Sequence, residues 1–467
     1  LQPASEQVAA PYNYLTNADF TWLQQYLPDT YEKEFERYGN RTVSSFLRMV
    51  GAEMPSISDQ VTWAEQGRLH TKYTSVAING GAPLVAADNA TFIVNDAMAP
   101  AAADISLRVG QTVFMQNNNG SSSNKGIITA VTLNAGAPDT FVAYFYEGAG
   151  MTAAGADTFT MFIYGSEFRK GTSGMIGSLE ANDEFFNNSP IIIKDTYNVT
   201  GSDMAQIGWV EVTTEDGAAG YLWYLKSEHE TRLRFDDYLE TAMIEAVPAE
   251  AGSGAIAVAV NLLGTEGVFN AVETRGNVWA GGIPSTLQDF DTVISQLDNQ
   301  GAIEENVVFV NRDFGFDIDD MLAAQNSYGA GGTSYGLFDN DEEMALNLGF
   351  TGFRRGYDFY KSDWKYLNDP TMRGGLSSIA GSGSVNGLLV PAGSTSVYDQ
   401  ILGKNAKRPF LHVRYRASQT EDRRYKTWIT GSAGGARTSS VDEMQVNFLS
   451  ERCVCTLGAN NFVIFNA

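Results

Sequence analysis

The chain has 467 residues, 43% of them hydrophobic, and a formal net charge of −24. This length predicts two or three domains with sizeable cores, and no apolar run approaches the roughly 18 residues of a membrane helix. The acidity argues against general nucleic-acid affinity, which needs clustered lysine and arginine.

The N-terminal 65 residues are predicted to be extended first and then helical. Short helices are expected at Asp29–Tyr38 and Val43–Val50, each followed by a glycine. The chain starts at Leu1 without methionine and without a charged-then-apolar signal pattern. Either a shortened sequence or proteolytic removal of a leader fits that start.

The 90 residues from Val76 to Gly165 hold only eight charged residues and are rich in Ala, Gly, Asn and Thr. Short β-type runs separated by turn clusters predict a small barrel or sandwich, inserted with its own core. The predicted strands are Thr91–Val94, Gln111–Met115, Gly126–Leu133, Thr140–Tyr146 and Thr158–Tyr164. Two further strands, Pro190–Lys194 and Ile207–Thr213, are expected to form an arm-like hairpin.

The segment Tyr221–Val247 predicts one long helix, because its 27 residues contain no glycine or proline. Between Lys226 and Asp237, seven of twelve residues are charged and point in all directions around a helix. A helix that is polar all round usually bridges separate masses. We therefore expect a strut, with apolar residues at its two ends.

After Pro248 the pattern predicts mixed α/β structure. Ser285–Gln288 matches a capping box and opens a helix that Gly301 ends, before the short buried strand Val307–Asn311. Ile318–Gln325 is predicted to be helical. The remaining predicted strands are Phe410–Ala417, Tyr425–Thr430, Gln445–Leu449, Arg452–Leu457 and Phe462–Phe465.

Several fragments of catalytic or metal motifs occur without the parts that they need. Asp313-Phe-Gly315 matches a kinase tripeptide, but the other kinase motifs are missing and a turn after a strand is expected. The aspartates 317, 319 and 320 then fit the first turn of a helix better than a metal site. Residues 339–343 resemble a calcium loop only at its start.

A hydrolase is the main enzyme alternative. Gly332–Gly336 formally matches a nucleophile motif around Ser334, and His412 is the only downstream histidine that could act as its base. A glycine-rich loop precedes Ser334 where the motif needs a strand, so a surface loop is the simpler interpretation. Cys453 and Cys455 are the only cysteines and are expected to be two core thiols in a reducing compartment, not zinc ligands.

One charged segment stands out against the acidic chain. Residues 404–426 contain eight basic and two acidic side chains, a net charge of +6. Because the whole chain carries −24, the remainder carries about −30. This pattern fits a solvated strand face, a surface that meets the acidic surface of another copy or, with the least support, contact with packaged nucleic acid. The candidate inter-subunit residues are Lys404, Lys407, Arg408, Arg414, Arg416, Arg423, Arg424 and Lys426.

The order of these parts resembles the major capsid proteins of tailed bacteriophages, with the closest likeness to crAss-like phages. The likeness rests on that order and on the segments Lys226–Glu240 and Asn311–Asp320. It implies an α+β, tailed-phage major capsid fold with an N-terminal arm, extended β loop, spine helix and α/β axial domain, plus an inserted all-β domain. The implied ranges are 1–65 for the arm, 66–180 for the extended-loop region with the inserted domain, 181–250 for the remainder of the loop and the spine helix, 251–400 for the axial-type domain and 401–467 for a β-rich return to the peripheral domain.

The resemblance also implies a function. The chain would be a structural late protein without enzyme activity or cofactor that self-assembles, as hexamers and pentamers, into an icosahedral virion capsid. Its partners would be other copies, portal and decoration proteins, and double-stranded DNA held by enclosure, with assembly in the bacterial host cytoplasm and no membrane. The alternatives are a hydrolase using Ser334 and His412, and a β-rich phage fibre or adhesin-type binding protein.

Overall fold

The structure is a computed structural model that describes most of the chain from residue 43 onward. The described residues are 43–44, 46–47, 52–68, 70–94, 105–134, 138–180, 183–205, 212–213, 219–220, 223–257, 262–301, 303–326, 351–376, 385–399, 404–435 and 437–466. The predicted helix Asp29–Tyr38 and the glycine-rich loop around Ser334 lie outside these ranges.

The described residues contain twenty-five strands, three short 3₁₀ helices and, besides the helical residues 46–47, seven α-helices. The helices are α1 (Gly201–Met204), α2 (Trp223–Glu245), α3 (Gly254–Ala257), α4 (Val268–Arg275), α5 (Leu287–Gln300), α6 (Arg312–Asn326) and α7 (Lys365–Asn368). The strands are β1 (Ala52–Ser56), β2 (Val61–Gln66), β3 (Lys72–Ile78), β4 (Leu84–Ala87), β5 (Asn89–Val94), β6 (Gln111–Asn117), β7 (Ser123–Thr132), β8 (Thr140–Phe145), β9 (Met151–Ala153), β10 (Thr158–Ser166), β11 (Asp183–Asn188), β12 (Ile191–Thr200), β13 (Val212–Thr213), β14 (Ala219–Gly220), β15 (Asn277–Trp279), β16 (Glu305–Val310), β17 (Gly352–Arg355), β18 (Tyr357–Asp363), β19 (Val385–Pro391), β20 (Ser394–Asp399), β21 (Lys404–Pro409), β22 (Leu411–Arg416), β23 (Lys426–Gly431), β24 (Glu443–Thr456) and β25 (Val463–Asn466).

One compact unit is Trp63–Phe186, and it contains a closed barrel with the strand order β10-β3-β5-β8-β7-β6. Alternate residues of each strand point inward, as the burial of every second residue in β5 shows. Phe92 lies at the centre, with its ring 5.4 Å from that of Phe141 and 5.7 Å from that of Phe159. The predicted barrel-or-sandwich is a barrel, and closure leaves its strands without open edges.

The second unit contains two larger sheets. The first has the order β1-β22-β24-β12, with β23 also paired to β24, and β1 runs parallel to β22. The second has the order β15-β25-β19-β16-β18-β17. Because β1, β12 and β22 are far apart in sequence, the first sheet forms only when distant parts of the chain meet.

The long helix α2 confirms the predicted helix, beginning at Trp223 and ending at Glu245. The prediction that its middle bridges separate masses is wrong. Phe235 lies within the charged stretch and is fully buried, with its ring 5.7 Å from that of Phe448 on β24. Leu239 and Met243 continue the same stripe at four-residue spacing, so the helix lies on the five-stranded sheet.

Helix α5 keeps its predicted position, but its cap differs. The capping box is formed by Thr286 and Asp289, one residue later than the predicted Ser285–Gln288 box. The N–H of Asp289 donates to Thr286 Oγ1 at 3.3 Å, and the N–H of Thr286 donates to Asp289 Oδ2 at 3.1 Å. Gly301 ends the helix in the left-handed conformation with φ 71°, as glycine there predicted.

Helix α6 begins at Arg312, earlier than predicted, so the expected turn at Asp313–Gly315 is wrong. The reason is Asn311, whose Oδ1 accepts a hydrogen bond from the N–H of Phe314 at 2.8 Å and caps the helix. The aspartates 317, 319 and 320 therefore lie inside the helix and not in its first turn. Asp319 instead pairs with Lys361 at 2.5 Å.

The predicted strands near residue 450 need correction. Gln445–Leu449 and Arg452–Leu457, apart from its last residue, belong to the single 14-residue strand β24, which ends at Thr456. The predicted strand at Pro190–Lys194 is part of β12, which pairs antiparallel with β24, whereas most of its predicted hairpin partner Ile207–Thr213 lies outside the described residues. Among the described residues, no helix is long and apolar enough to cross a membrane.

Candidate functional site

The eight basic residues predicted to contact another copy lie on and beside the five-stranded sheet. They divide among β21 (Lys404, Lys407, Arg408), β22 (Arg414, Arg416), the turn after β22 (Arg423, Arg424) and the start of β23 (Lys426). Lys407 is exposed, whereas Arg408 is half-buried. Their inter-subunit role remains a prediction, and their surroundings differ widely.

Arg414 is the member furthest from water, with 8% of its surface exposed. It lies opposite Cys453 in the register of β22 and β24, and its Nη1 donates to the backbone oxygen of Pro55 at 3.3 Å. Burying a guanidinium is unfavourable unless it is hydrogen-bonded, which this contact provides. Arg414 therefore stabilises the sheet and is a poor candidate for contact with another chain.

Glu451 forms intramolecular ion pairs with two of the predicted arginines. Its carboxylate lies 2.5 Å from Nε of Arg423 and 3.7 Å from Nη1 of Arg416, which also contacts Asp59. Both arginine side chains are about a third exposed, so solvent weakens these pairs. The local result is an ion-pair network that neutralises much of the positive charge.

Glu53 has the same role on the neighbouring side of the sheet. It contacts Nε of Arg424 and lies 3.4 Å from Nη1 of Arg452, a buried arginine outside the predicted set. Arg452 also donates to the backbone oxygen of Arg424 at 2.9 Å and to Ser450 Oγ at 2.8 Å. Burial lowers the pKa of Arg452, and the charge of Glu53 opposes that shift.

Lys426 and Glu421 form the remaining pair, at 2.5 Å. The hydrogen bond from Lys426 lowers the pKa of Glu421. Of the predicted residues with described side chains, Lys407 and Arg424 keep the most accessible charge; the Arg424 side chain is 56% exposed. Among the described side chains, the predicted basic surface is thus a mixed-charge surface on which Lys407 and Arg424 are the most accessible cations.

A cleft of about 850 Å³ lies beside this surface, between helix α2 and the five-stranded sheet. Its wall combines acidic and basic side chains with few apolar ones. The charged and aromatic lining residues are Glu53, Arg232, Asp236, Glu240, Tyr415, Asp422, Arg424, Tyr425 and Arg452. Such a wall suits a polypeptide segment of mixed charge better than an apolar small molecule.

Two carboxylates of α2 bind the segment that follows residue 42, which sequence reasoning missed. Asp237 Oδ1 accepts the N–H groups of Val43 at 3.0 Å and Ser44 at 3.1 Å, and Glu240 Oε1 accepts that of Phe46 at 2.9 Å. These are N–H groups at a helix start, where no intrahelical acceptor exists. A sequence signal was present only for Glu240, which has no basic residue three or four positions away on α2, whereas Asp237 has Arg234 three positions before it.

His412 is 1% exposed and lies opposite Cys455 in the sheet register. Cys453 and Cys455 are buried free thiols, as predicted. The hydrogen bond between the thiols raises the pKa of Cys453 and lowers that of Cys455, and His412 adds to the lowering. A histidine buried against a thiol is poorly placed to activate Ser334, which lies outside the described residues.

Within the described part of the chain, no three His, Cys, Asp or Glu residues form a metal-binding group.

No protein-family model and no curated protein matches the chain. Among solved structures, one of Microbacterium phage Oxtober96 is similar at 10% identity and TM-score 0.40, covering 96% of this chain and 98% of that one. One of Mycobacterium phage Cain is similar at 8% identity and TM-score 0.38, covering 97% and 98%. The capsid structure of cyanophage P-SCSP1u is similar at 9% identity and TM-score 0.35, covering 65% and 80%.

Proposed function

We propose that this chain is the major capsid subunit of a tailed bacteriophage. The observation that carries the proposal is helix α2, 23 residues long, lying along a sheet whose strands come from residues 52–56, 191–200 and 411–456. The barrel unit Trp63–Phe186 is inserted between the first two of these segments. This nesting matches the order of arm, extended loop, spine helix, axial domain and return that the sequence resemblance implies.

The surface chemistry supports an assembling subunit. The chain carries −24, yet the face around β21–β23 holds accessible cations, so an acidic face of another copy could meet Lys407 and Arg424 without like-charge contact. Opposite charges on different faces of one subunit favour repeated association in a fixed orientation. The cleft beside α2 also carries both acidic and basic side chains, so it could bind a segment of mixed charge from another copy.

The proposal includes the finer features of the resemblance. Copies would associate as hexamers and pentamers into a closed icosahedral shell around double-stranded DNA, with portal and decoration proteins as further partners. The DNA would be held by enclosure, because an acidic chain repels phosphate groups. We also propose that the phage is related to crAss-like phages and that the subunits assemble in the host cytoplasm. The domain ranges given by the resemblance are proposed as well.

Electron microscopy of the expressed full chain tests this function. We expect closed particles of uniform diameter and a fast-sedimenting species. A chain that stays monomeric or trimeric at high concentration would instead favour the fibre or adhesin alternative. Esterase turnover that disappears in Ser334→Ala would favour the hydrolase.

Charge reversal tests the candidate surface separately. Arg424→Glu should reduce the yield of closed particles roughly tenfold or more, because it places like charges across the contact. Arg354→Glu is the matched control: Arg354 is 74% exposed and pairs with Asp358 at 3.2 Å, away from β21–β23. Each variant loses one partly exposed ion pair, Arg424 with Glu53 or Arg354 with Asp358, so each should lose no more than about 1 kcal/mol of unfolding free energy. Normal particles from Arg424→Glu would remove this surface from the proposal, but would leave the capsid function standing.

A further inference from the structure

The outer wall of the barrel carries a cluster of aromatic side chains that its core does not use. We call Phe114, Tyr144, Tyr146, Phe162 and Tyr164 the aromatic patch. Four of the five are between 44% and 49% exposed, and Phe114 is half-buried. The inward positions of the same strands are already filled by other apolar side chains, including Val113, Met115, Phe141 and Met161.

The rings lie on β10, β6 and β8, with Tyr146 directly after β8, and β7 with its Lys125 and Ile127 lies between β6 and β8. Phe162 is opposite Phe114, with ring centroids 5.3 Å apart. Phe114 is opposite Lys125, whose backbone oxygen accepts the N–H of Tyr146 at 3.0 Å. Residues on one face of adjacent strands are neighbours, so the patch runs from Phe162 through Phe114 to Lys125 and Tyr146, with Lys125 between two groups of rings.

The exposed area is that of a protein contact. Since one aromatic side chain can bury about 150–250 Å², the four exposed rings leave roughly 300–450 Å² in water. A stable protein interface buries about 800 Å² on each partner, with an aromatic-rich centre and a polar rim. The patch can supply such a centre, because its exposed area is that of the largest apolar patch of a typical monomer, which is often functional.

Two charges at the patch are arranged for self-association. Lys125 and Glu167 are both exposed, and Glu167 Oε2 accepts the hydroxyl of Tyr146 at 2.5 Å. In a two-fold contact, residue i of one copy meets residue j of the other and the reverse. Lys125 of each copy can then face Glu167 of its partner, so opposite charges meet twice.

We propose that the aromatic patch is an isologous contact between the barrels of two copies of this chain. The identity of the partner as another copy rests on the proposed function. Rings of one copy pack against rings of the other in offset or edge-to-face pairs, and Lys125 and Glu167 set the orientation. A closed barrel associates through its wall because it has no open strand edge for pairing.

A charge-swap series tests the orientation. Lys125→Glu should weaken association roughly tenfold or more, measured as the chain concentration at half-maximal assembly, because two acids then face each other. It leaves the bond between Tyr146 and Glu167 intact. The double variant Lys125→Glu with Glu167→Lys should recover at least half of that loss. Unchanged assembly in Lys125→Glu, or no recovery in the double variant with a wild-type unfolding midpoint, would overturn the proposal.

Carbodiimide cross-linking of mixed ¹⁴N- and ¹⁵N-labelled chains separates the two proposals. The expected product is a peptide pair of mixed isotope content that joins Lys125 to Glu167. Closed particles without this pair would refute the barrel contact alone. The mixed pair found in small soluble oligomers, with no closed particles at any concentration, would refute the shell and keep the contact. Absence of both would overturn both.

Discussion

The bond between Glu240 and Phe46 allows a sharp test of how the N-terminal segment is attached. Glu240 is 4% exposed, and its Oε1 accepts the N–H of Phe46 at 2.9 Å. Glu240→Ala removes the acceptor and leaves a buried N–H without that partner. Glu240→Gln keeps an oxygen of the same reach, so it is the matched control.

The magnitude follows from what each substitution leaves behind. An unsatisfied buried donor costs about 1–3 kcal/mol, which is the loss expected for Glu240→Ala. Glu240→Gln should lose less than half of that. Phe46 itself is fully buried, with its ring stacked 4.4 Å from Trp364 and edge-on 4.7 Å from Phe309. Phe46→Ala should therefore lower the free energy of unfolding by about 3–5 kcal/mol, more than Glu240→Ala does.

Urea unfolding of the unassembled chain measures these free energies, and limited proteolysis near residue 46 reports local detachment. Glu240→Ala should lower the unfolding midpoint and speed cleavage near Phe46, while Glu240→Gln stays close to wild type. Equal losses in both variants would show that the charge of Glu240 matters and its acceptor geometry does not. A loss below about 0.5 kcal/mol in Glu240→Ala would refute the anchoring argument altogether.

Two further outcomes test the packing and charge of helix α2. Burial raises the pKa of Asp237, although the amides of Val43 and Ser44 act in the opposite direction. The contribution of this carboxyl group to the free energy of unfolding is therefore full below its ordinary pKa of about 4 and is lost as pH rises through the folded-state pKa. Asp237→Asn should abolish that loss, and urea midpoints that keep the wild-type pH dependence from pH 4 to pH 7 would contradict it. Phe235→Ala should cost about 3–5 kcal/mol in the same assay, because Phe235 fills the contact between α2 and the five-stranded sheet. A loss under 1 kcal/mol would mean that the helix does not depend on that sheet.

The inter-subunit role of the basic segment stays a prediction, but the structure corrects the estimate of its electrostatics. The basic residues between 404 and 426 do lie on and beside one sheet. Their partners Glu53, Asp59 and Glu451 come from other parts of the chain, so a count of charge along the segment overestimated the free positive charge. Local spacing identifies charges, but only folding shows which of them meet.

The same distinction holds for the fold. The extent of α2, the glycine that ends α5 and every barrel strand except β3 followed from sequence, because glycine avoidance, the left-handed position of Gly301 and two-residue alternation act over a few residues. Tertiary structure alone decided that Phe235 anchors the charged helix to a sheet, that β1 pairs in parallel with β22, and that Asp237 and Glu240 hold the segment after residue 42. Each of these joins residues more than 150 positions apart, and their energies depend on burial and geometry that no local pattern contains.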